Sequence, residues 1–465
     1  MDGILSWVEF WQYELMLFSA IWFLIGALDD VIVDLIWGVR WVYRKRTYYR
    51  YASPLRAGQL PSPAIHSMLA IFIATWQEAA VINATLTQCR AAWLDAPHPY
   101  RIYVGCYPND GATVAAIMRA AKCDPNIRLV LATNPGPTTK ADCLNRLWQA
   151  LVGDELMLGI KAKAIILHDA EDMVHADELK VYNSLIERNN AVQLPVLPAR
   201  VPGSLWISGH YLDEFAEAHG KSLVVREAIG AALPLAGVGC AIDRGILGRI
   251  AMANDHRPFD SSSLTEDYEL GLRIGALGGR TIFARMLDSN GNLVGTRACF
   301  PDSIDAAVRQ KARWLTGIAL VGWDRLGWQG GFAETWMRMR DRRAILAALI
   351  LCTAYLCIIL TVILLMARLI GIYEPSAFPR MLVGLLWVNT GFLMWRLFVR
   401  ASFVGMIYGA GEALLSVPRT FVGNIIGIMA ARRACFAYVR LCFGAGLTWE
   451  KTAHAHFPKA LVGND

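Results

Sequence analysis

Three apolar stretches, residues 10–28, 344–367 and 381–399, constrain this 465-residue chain more than any other feature. Each is about 20 residues or slightly longer, the length a helix needs to cross a ~30 Å hydrocarbon core. With 55% hydrophobic residues, 18% charged residues and a mean hydropathy of +0.36, the chain is too apolar for an ordinary soluble protein. A membrane protein with a substantial soluble part is expected. The first stretch carries Glu14 and is followed by Asp29, Asp30 and Asp34. Its span therefore extends toward residue 37, or its second half lies in the interface. The N-terminus has no basic region and no small-residue cleavage site, so this segment reads as a retained anchor.

Basic residues set the orientation. Arg44, Lys45, Arg46 and Arg50 follow the first stretch, Arg338, Arg340, Arg342 and Arg343 precede the second, and Arg396 and Arg400 follow the third. The positive-inside rule places the N-terminus outside and residues 40 to 343 in the cytoplasm. After the third stretch, Glu412, Pro418 and Arg419 interrupt the apolar run, so residues 404–465 are expected as amphipathic interfacial helices and a tail, with Arg432, Arg433 and Arg440 toward lipid phosphates. The organisation expected is an anchor over 1–50, a cytoplasmic body over 51–335, two spans over 336–403, and the interfacial segment. A net charge of +6 and sixteen tryptophans suit an anionic leaflet, and no nucleic-acid-binding signature accompanies them. The ten cysteines lack Cys-x-x-Cys pairs and read as reduced, buried fillers.

Within the body, the β-rich runs MLAIFIAT, RIYVGCY, IRLVLAT and AIILHD alternate with the helical runs EAAVINATLTQCRAAW, ATVAAIMRAAK and KADCLNRLWQALVG. That alternation is the mark of an α/β fold, a parallel sheet with helices on both faces, in which ligands bind at the carboxyl ends of the strands. Polar clusters fall at those ends: Glu78, Asp110, Lys140, the trio Asp169, Glu171 and Asp172, and the pair Glu266 and Asp267. For any one acid, helix capping competes with a chemical role. Thr265 in particular is placed to cap a helix whose first turn holds both acids. Capping does not explain five clusters recurring at one edge. A nucleotide diphosphate accounts for them together: Asp169 with Glu171 or Asp172 for a divalent ion, Asp110 and Glu78 for base and ribose, Lys140 for the phosphates. Direct displacement at a sugar also needs a general base, for which Asp267 is the candidate.

Gln310, Arg313 and Trp314 stand at i, i+3 and i+4 in AVRQKARWLTGIALVGW and share one helical face. A basic amphipathic helix lying on the bilayer is the competing reading, and both can hold. His168 and His175 read as supporting or capping residues, since imidazole does not suit a magnesium site. Asp177 and Glu178 fit the first turns of the next helix. The glycines of AGVGC either approach the acceptor site closely or make a turn. In WEKTAHAHF, His454 and His456 are too awkwardly spaced to share a metal, and contact with the catalytic body is expected.

Taken together, YPND, HDAED, TEDYELGLR and QKARW resemble the inverting family 2 glycosyltransferases, the group containing processive membrane synthases, over roughly residues 65 to 320. The resemblance implies a GT-A (Rossmann-like) fold, a UDP-sugar donor, Mg²⁺ or Mn²⁺, and inverting transfer. By position, Asp110 looks like the base-binding aspartate, Asp169 like the first acid of the metal motif, and Asp267 like the catalytic base, with Glu266 beside it. Gln310, Arg313 and Trp314 match the QxxRW motif that embraces donor diphosphate and acceptor. Two departures are visible. Glu171 stands at the second acid of the usual metal motif, with Asp172 beside it, and Thr75 and Gln77 precede Glu78 where relatives often have Pro and Asn.

PGPTTKADCLN, LDEFAEAHGK, AGVGC and WEKTAHAHFP extend the likeness, to about residue 458, to an inner-membrane member of the family. That implies a multi-pass protein of the bacterial inner membrane acting in an envelope polysaccharide. The implied donor is a UDP-N-acetylhexosamine, UDP-N-acetylmannosamine among the candidates. Relatives of this type can carry a cyclic-di-GMP-binding domain, which here is expected on a separate subunit, and an outer-membrane export partner. The leading expectation is a processive polymerase, with oligomerisation or interfacial helices completing a channel that three spans cannot enclose. The alternatives are transfer of one sugar to a lipid-linked acceptor and a catalytically silent membrane adaptor.

Overall fold

The computed structural model describes residues 2–50, 55–65, 67–94, 96, 98–122 and 124–444. The stretch with His454 and His456 lies outside them. The chain opens with helix α1 (Asp2–Thr47) and enters the body through β1 (Leu69–Ala74), α2 (Ile82–Ala92), β2 (Tyr100–Cys106), α3 (Gly111–Ala121), β3 (Ile127–Leu131), α4 (Lys140–Leu158), β4 (Ala164–His168) and α5 (Glu178–Leu185). It continues through β5 (Ala191–Gln193), β6 (Val196–Pro198), α6 (Gly209–Glu217), α7 (Leu223–Ala228), β7 (Cys240–Asp243), α8 (Arg244–Met252), α9 (Glu266–Ala276), β8 (Thr281–Phe283) and β9 (Thr296–Ala298). The helices α10 (Ile304–Leu315), α11 (Gly322–Leu326), α12 (Phe332–Arg342), α13 (Ala344–Leu369), α14 (Arg380–Tyr408) and α15 (Ala410–Cys442) complete it. Two π-helical turns, Ala218–Ser222 and Thr316–Val321, follow α6 and α10.

The fold is mixed α/β, a Rossmann-like sheet with long apolar helices beside it. The seven strands run in the order β3-β2-β1-β4-β7-β5-β8, with β7 antiparallel to both neighbours and the rest parallel. The run LAIFIA of β1 is apolar throughout because both faces are covered. Leu69, Ile71 and Ile73 enter one core with residues of α2, α3 and α5, and Ala70, Phe72 and Ala74 enter another with residues of α4 and α8. The four expected strands form β1 to β4. Strands β5 to β9, three or four residues each, are too short to leave a period in the sequence.

Among the described residues four helices, not three, are long and apolar enough to cross a membrane: α1, α13, α14 and α15. The segment expected as separate interfacial helices is one 33-residue helix, α15, with Pro418 inside it. Of the residues that appeared to interrupt it, Pro418 is exposed but the two charged ones, Glu412 and Arg419, face protein. Arg419 is fully buried, pairs with Glu412 and Asp213, and donates 2.7 Å to the Gly209 carbonyl of α6. A side chain at Gly209 would collide with that guanidinium. Further along, Ala430 and Ala434 meet Ala312 of α10, small residues that let the two helices close together. The cysteines also need correcting: all nine described are unpaired, but Cys352, Cys435 and Cys442, on the apolar helices, are exposed rather than buried.

Helix α1 is 46 residues, about 69 Å, more than twice the thickness of a bilayer core. In its apolar part Gln12 donates to Thr361, Ser19 meets Thr353, and Asn389 donates to the Ala20 carbonyl, tying it to α13 and α14. Beyond these, Asp29 and Asp30 share Arg340 and Arg343, Asp30 also takes Arg396, and Asp34 accepts from Lys221 (2.6 Å) and the Trp395 indole (2.8 Å). The acids that weaken the apolar run are the counter-ions of the helices around it. The double change Asp29→Asn, Asp30→Asn leaves three guanidinium groups without their carboxylates and is expected to cost about 2–3 kcal/mol, somewhat less than for fully buried pairs. Thermal unfolding in detergent or nanodiscs checks it.

Candidate functional site

The carboxyl ends of β1, β2, β3 and β4 turn into four neighbouring loops. Turn residue Thr139 caps α4 by accepting from the Asp142 amide at 3.2 Å, which makes Lys140 the first residue of that helix. The Asn109 side chain pins the turn, donating to the Gly136 carbonyl at 2.7 Å and accepting from its amide at 2.8 Å. Lys140 Nζ then reaches the end of β4 and lies 2.5 Å from Asp169 Oδ1. Burial opposes its charge, but Asp169, Glu266 and Asp267 together hold the ammonium above its ordinary range.

At the HDAED stretch, Asp172 is fully buried. Its Oδ2 accepts from the Asp169 amide (3.0 Å) and meets His168 Nδ1 (3.1 Å), while His168 Nε2 meets Glu178 (2.9 Å). Burial disfavours a charged imidazole, yet the two carboxylates raise the His168 pKa to about 10, so it is a cation clamped between them. His168 and Glu178 therefore support Asp172 from behind, as their sequence reading expects. Glu171 is buried, and its pKa is pushed well up by burial and by the charges of Asp169, Asp172 and Glu78.

A cavity of about 440 Å³ is bordered by Lys140, Asp169, Glu171, Asp172, Glu266, Asp267, Gln310, Arg313 and Trp314. Nine of the eleven residues singled out in the sequence thus meet at one place, although they come from three distant parts of the chain. Trp314 is held edge-on by Tyr211 and Phe215, with ring centroids 6.3 and 6.4 Å away. Burial raises the two adjacent acids at the start of α9: Glu266, beside Asp267, to about 7, and Asp267 in the same direction, with Lys140, the Tyr268 amide and Arg313 counteracting it. Thr265 does not cap α9 through its side chain, so the capping alternative fails there. Its Oγ1 is a buried atom without a hydrogen bond, as are Asp172 Oδ1 and Gln310 Oε1, all three on residues bordering the cavity. Buried polar atoms left unpaired are costly, and at a cavity wall they are where a ligand would complete the network.

Glu78 and Asp110 lie outside that lining. For Asp110 the capping alternative is realised: Oδ1 accepts from the Thr113 amide of α3 at 3.3 Å. Its Oδ2 accepts from the Gln77 amide at 2.6 Å, holding Gln77 at φ +55° and with it the loop that carries Glu78. In AGVGC the turn reading is seen, with Gly237 and Gly239 at φ of +73° and +58°, and Gly237 packs directly on the Asp267 carboxylate.

Sequence reasoning missed Arg226, Tyr268, Met337 and Asp341, which border the same cavity, as does His219. Tyr268 stands within TEDYELGLR and His219 within LDEFAEAHGK without a role attached to either, no motif marks Arg226, and the run of charges in MRMRDRR is the signal that α12 faces something polar. His219 and His210 are buried and neutral. Burial, with Arg285 nearby, lowers His219 to about 3, and burial, with Lys311 nearby, lowers His210 to about 4. In an unfolded chain both would protonate near 6.5. The stability they contribute is complete above pH ~6.5 and is lost as pH falls, down to about 4 for His210 and about 3 for His219, at ~1.4 kcal/mol per unit for each. Denaturation of detergent-solubilised protein at pH 7 and pH 4.5 is expected to show that loss, and a His210→Gln, His219→Gln variant a shallower one.

Among the described residues no three His, Cys, Asp or Glu side chains converge to hold a metal ion. The donor chemistry nevertheless suits a hard cation: Asp169 and Glu171 offer oxygens, Asp172 Oδ1 is unpaired beside them, and like charges crowd Glu171.

Residues 66–317, more than half of the chain, match the family model described as glycosyltransferase like family 2. Bacteriophage adsorption protein B of Escherichia coli (strain K12) and bacteriophage N4 adsorption protein B of Escherichia coli O157:H7 are each 34% identical over 98% of this chain. The chain spans 64% of the length of these curated relatives. Among solved structures, a mannosyltransferase from Pyrobaculum calidifontis in complex with GDP-Man and Mn²⁺ matches 85% of this chain and 98% of its own, at 14% identity and a TM-score of 0.46. S. aureus TarS 1–349 in complex with UDP-GlcNAc matches 81% and 92%, at 10% identity and a TM-score of 0.33. On the match over residues 66–317, this chain belongs to glycosyltransferase family 2.

Proposed function

We propose that the protein is an inverting, membrane-bound glycosyltransferase that uses a UDP-sugar, best a UDP-N-acetylhexosamine, to extend an envelope polysaccharide. The observation that carries this reading is the convergence on one cavity of Lys140, Asp169, Glu171, Asp267, Gln310, Arg313 and Trp314. Lys140 and Arg313 supply positive charge for a diphosphate, with Lys140 at a helix N-terminus that itself favours anions. Asp110 and Glu78, on adjacent loops, are assigned to base and ribose. Asp169 and Glu171, with Asp172 beside them, would hold Mg²⁺ or Mn²⁺, whose charge would offset that of the leaving diphosphate. Asp267 takes the proton of the acceptor hydroxyl as its oxygen attacks the anomeric carbon and UDP leaves from the opposite side, which inverts that centre. Glu266 adjoins it. Trp314 offers a flat apolar face to a sugar ring.

The body lies in the cytoplasm of the bacterial inner membrane in this reading, with α1, α13, α14 and α15 against lipid. The relatives are named for bacteriophage adsorption, and a surface glycan as the product is consistent with that name. A second reading, one sugar added to a lipid-linked acceptor, draws support from the nearness of α12, a cavity-lining helix, to the acids of α1. Purified protein in nanodiscs is to be tested for UDP release against a panel of UDP-sugars with Mg²⁺ or Mn²⁺. Turnover with one sugar supports the proposal, and the product separates the readings: a ladder of long glycans for the polymerase, a single lipid-extractable sugar for the second. Folded protein that neither turns over nor binds UDP sinks both and favours the adaptor.

A further inference from the structure

Four elements bring a second set of side chains to the same cavity, three polar and two apolar: Arg226 of α7, Tyr268 of α9, Ile318 of the second π-turn, and Met337 with Asp341 of α12. Arg226 is 3% exposed. Its Nη1 donates to both oxygens of Asp341 at 3.0 and 2.7 Å and its Nε to the Ala232 carbonyl at 2.6 Å, while its Nη2 is buried with no hydrogen bond. Tyr268, the residue after Asp267, donates its hydroxyl to Asp341 Oδ2 at 2.7 Å. None of these groups is assigned to the diphosphate; Tyr268 follows the candidate base, Asp341 is the hydrogen-bonded partner of Tyr268, Arg226 is the partner of Asp341, and Ile318 and Met337 border the same cavity.

Charge decides what such a place would take. Arg226 is already matched by Asp341, and Arg340, on the same face of α12, by Asp29 and Asp30. A phosphate placed among these groups would find both Arg226 and Arg340 already matched by carboxylates. What is offered is a spare N–H donor, a carboxylate, a phenol ring, and the apolar flanks of Met337 and Ile318. That mixture of directed hydrogen bonds and apolar surface suits a neutral sugar ring, which has hydroxyls around its rim and C–H groups on its faces.

We infer that Arg226, Tyr268, Met337 and Asp341 form the acceptor subsite, which binds the terminal neutral sugar of the growing glycan with a hydroxyl toward Asp267, Arg226 Nη2 donating to that sugar. This rests on the glycosyltransferase reading above. It also favours a glycan end over a lipid phosphate as the group that meets the base. Because α12 runs directly into α13, the chain that leaves this subsite does so beside the apolar helices.

The test is calorimetric titration of the full chain in nanodiscs with UDP and then with a panel of neutral tetrasaccharides built from glucose, mannose and N-acetylhexosamines, with inorganic pyrophosphate as the anionic probe. Wild type is expected to bind at least one tetrasaccharide. Met337→Trp, which fills the space, and Arg226→Gln, which removes the donor, are each expected to weaken that binding at least tenfold and to leave the affinity for UDP within twofold. Should Arg226→Gln unfold through loss of the Asp341 pair, Met337→Trp still decides. Tetrasaccharide binding unchanged in Met337→Trp, no tetrasaccharide binding in wild type that binds UDP, or Arg226-dependent binding of pyrophosphate alone would each overturn the inference. Failure of wild type to bind UDP would instead bring down the donor site, and the acceptor subsite with it.

Discussion

Asp267→Asn is expected to lower sugar transfer by roughly 10²–10⁴-fold, the usual worth of a positioned general base, while UDP still binds. The asparagine keeps shape and volume but has no lone pair basic enough to take a hydroxyl proton. Asp267 is the second residue of α9, borders the cavity, and has one oxygen occupied by the Tyr268 amide at 2.8 Å, so its other oxygen, against Gly237, is the one available to an acceptor. Burial raises its pKa, which strengthens it as a base, and Lys140 and Arg313 keep that rise in check. Initial rates of UDP release and UDP affinity, measured on wild type and variant side by side, separate loss of chemistry from loss of binding. A variant retaining half of wild-type turnover would remove Asp267 from the proposed mechanism, and Glu266, raised to about 7 beside it, would be the next candidate.

The second large effect is expected at a residue with no chemistry of its own. Gly237→Ala places a methyl group where φ is +73° and where the nearest atoms belong to the Asp267 carboxylate. An L-residue in that conformation costs about 1–2 kcal/mol, and the methyl must also displace the carboxylate. Displacing a reacting group by about 1 Å can cost on the order of 10²-fold in rate. Transfer is therefore expected to fall about 10²-fold in kcat, with UDP affinity changed little and the unfolding midpoint lowered by only about 2–6 °C. A rise in KM for the donor at constant kcat would instead assign Gly237 to substrate binding.

Legibility in the sequence followed the length of the physical signal. Strands β1 to β4 were readable because each is a run of five to seven residues bounded by turns, and the parallel sheet follows from their alternation with helices. Strand β7 was not, since four residues entering the sheet antiparallel carry no pattern that distinguishes them from a loop. The cavity was readable in part. Residues at strand ends and on one helical face, such as Asp169 and the Gln310, Arg313, Trp314 set, declare themselves by position, whereas Arg226 and Asp341 are 115 residues apart and become partners only through tertiary packing. The same limit explains Arg419. A charge within an apolar helix reads as an interruption until its carboxylate, Asp213, is brought to it by α6.

The π-turn after α10 also bears on which changes of chain length the protein can tolerate. Residues 304–326 run as one helix, wound more widely at Thr316–Val321, so the face that carries Gln310, Arg313 and Trp314 and the residues beyond the turn keep a phase that uniform winding would not give them. Removing a single residue inside the turn would let it tighten to ordinary α winding and leave the faces beyond it in nearly their present phase, whereas removing one from α10 before it would swing everything past the deletion by about 100° around the axis. Trp323, which now lies 5.2 Å from the Arg342 guanidinium, would leave α12, and Gly317 would leave its seat against Thr265. The turn is thus where this helix can lose a residue and keep its faces, and the regular winding before it is where it cannot.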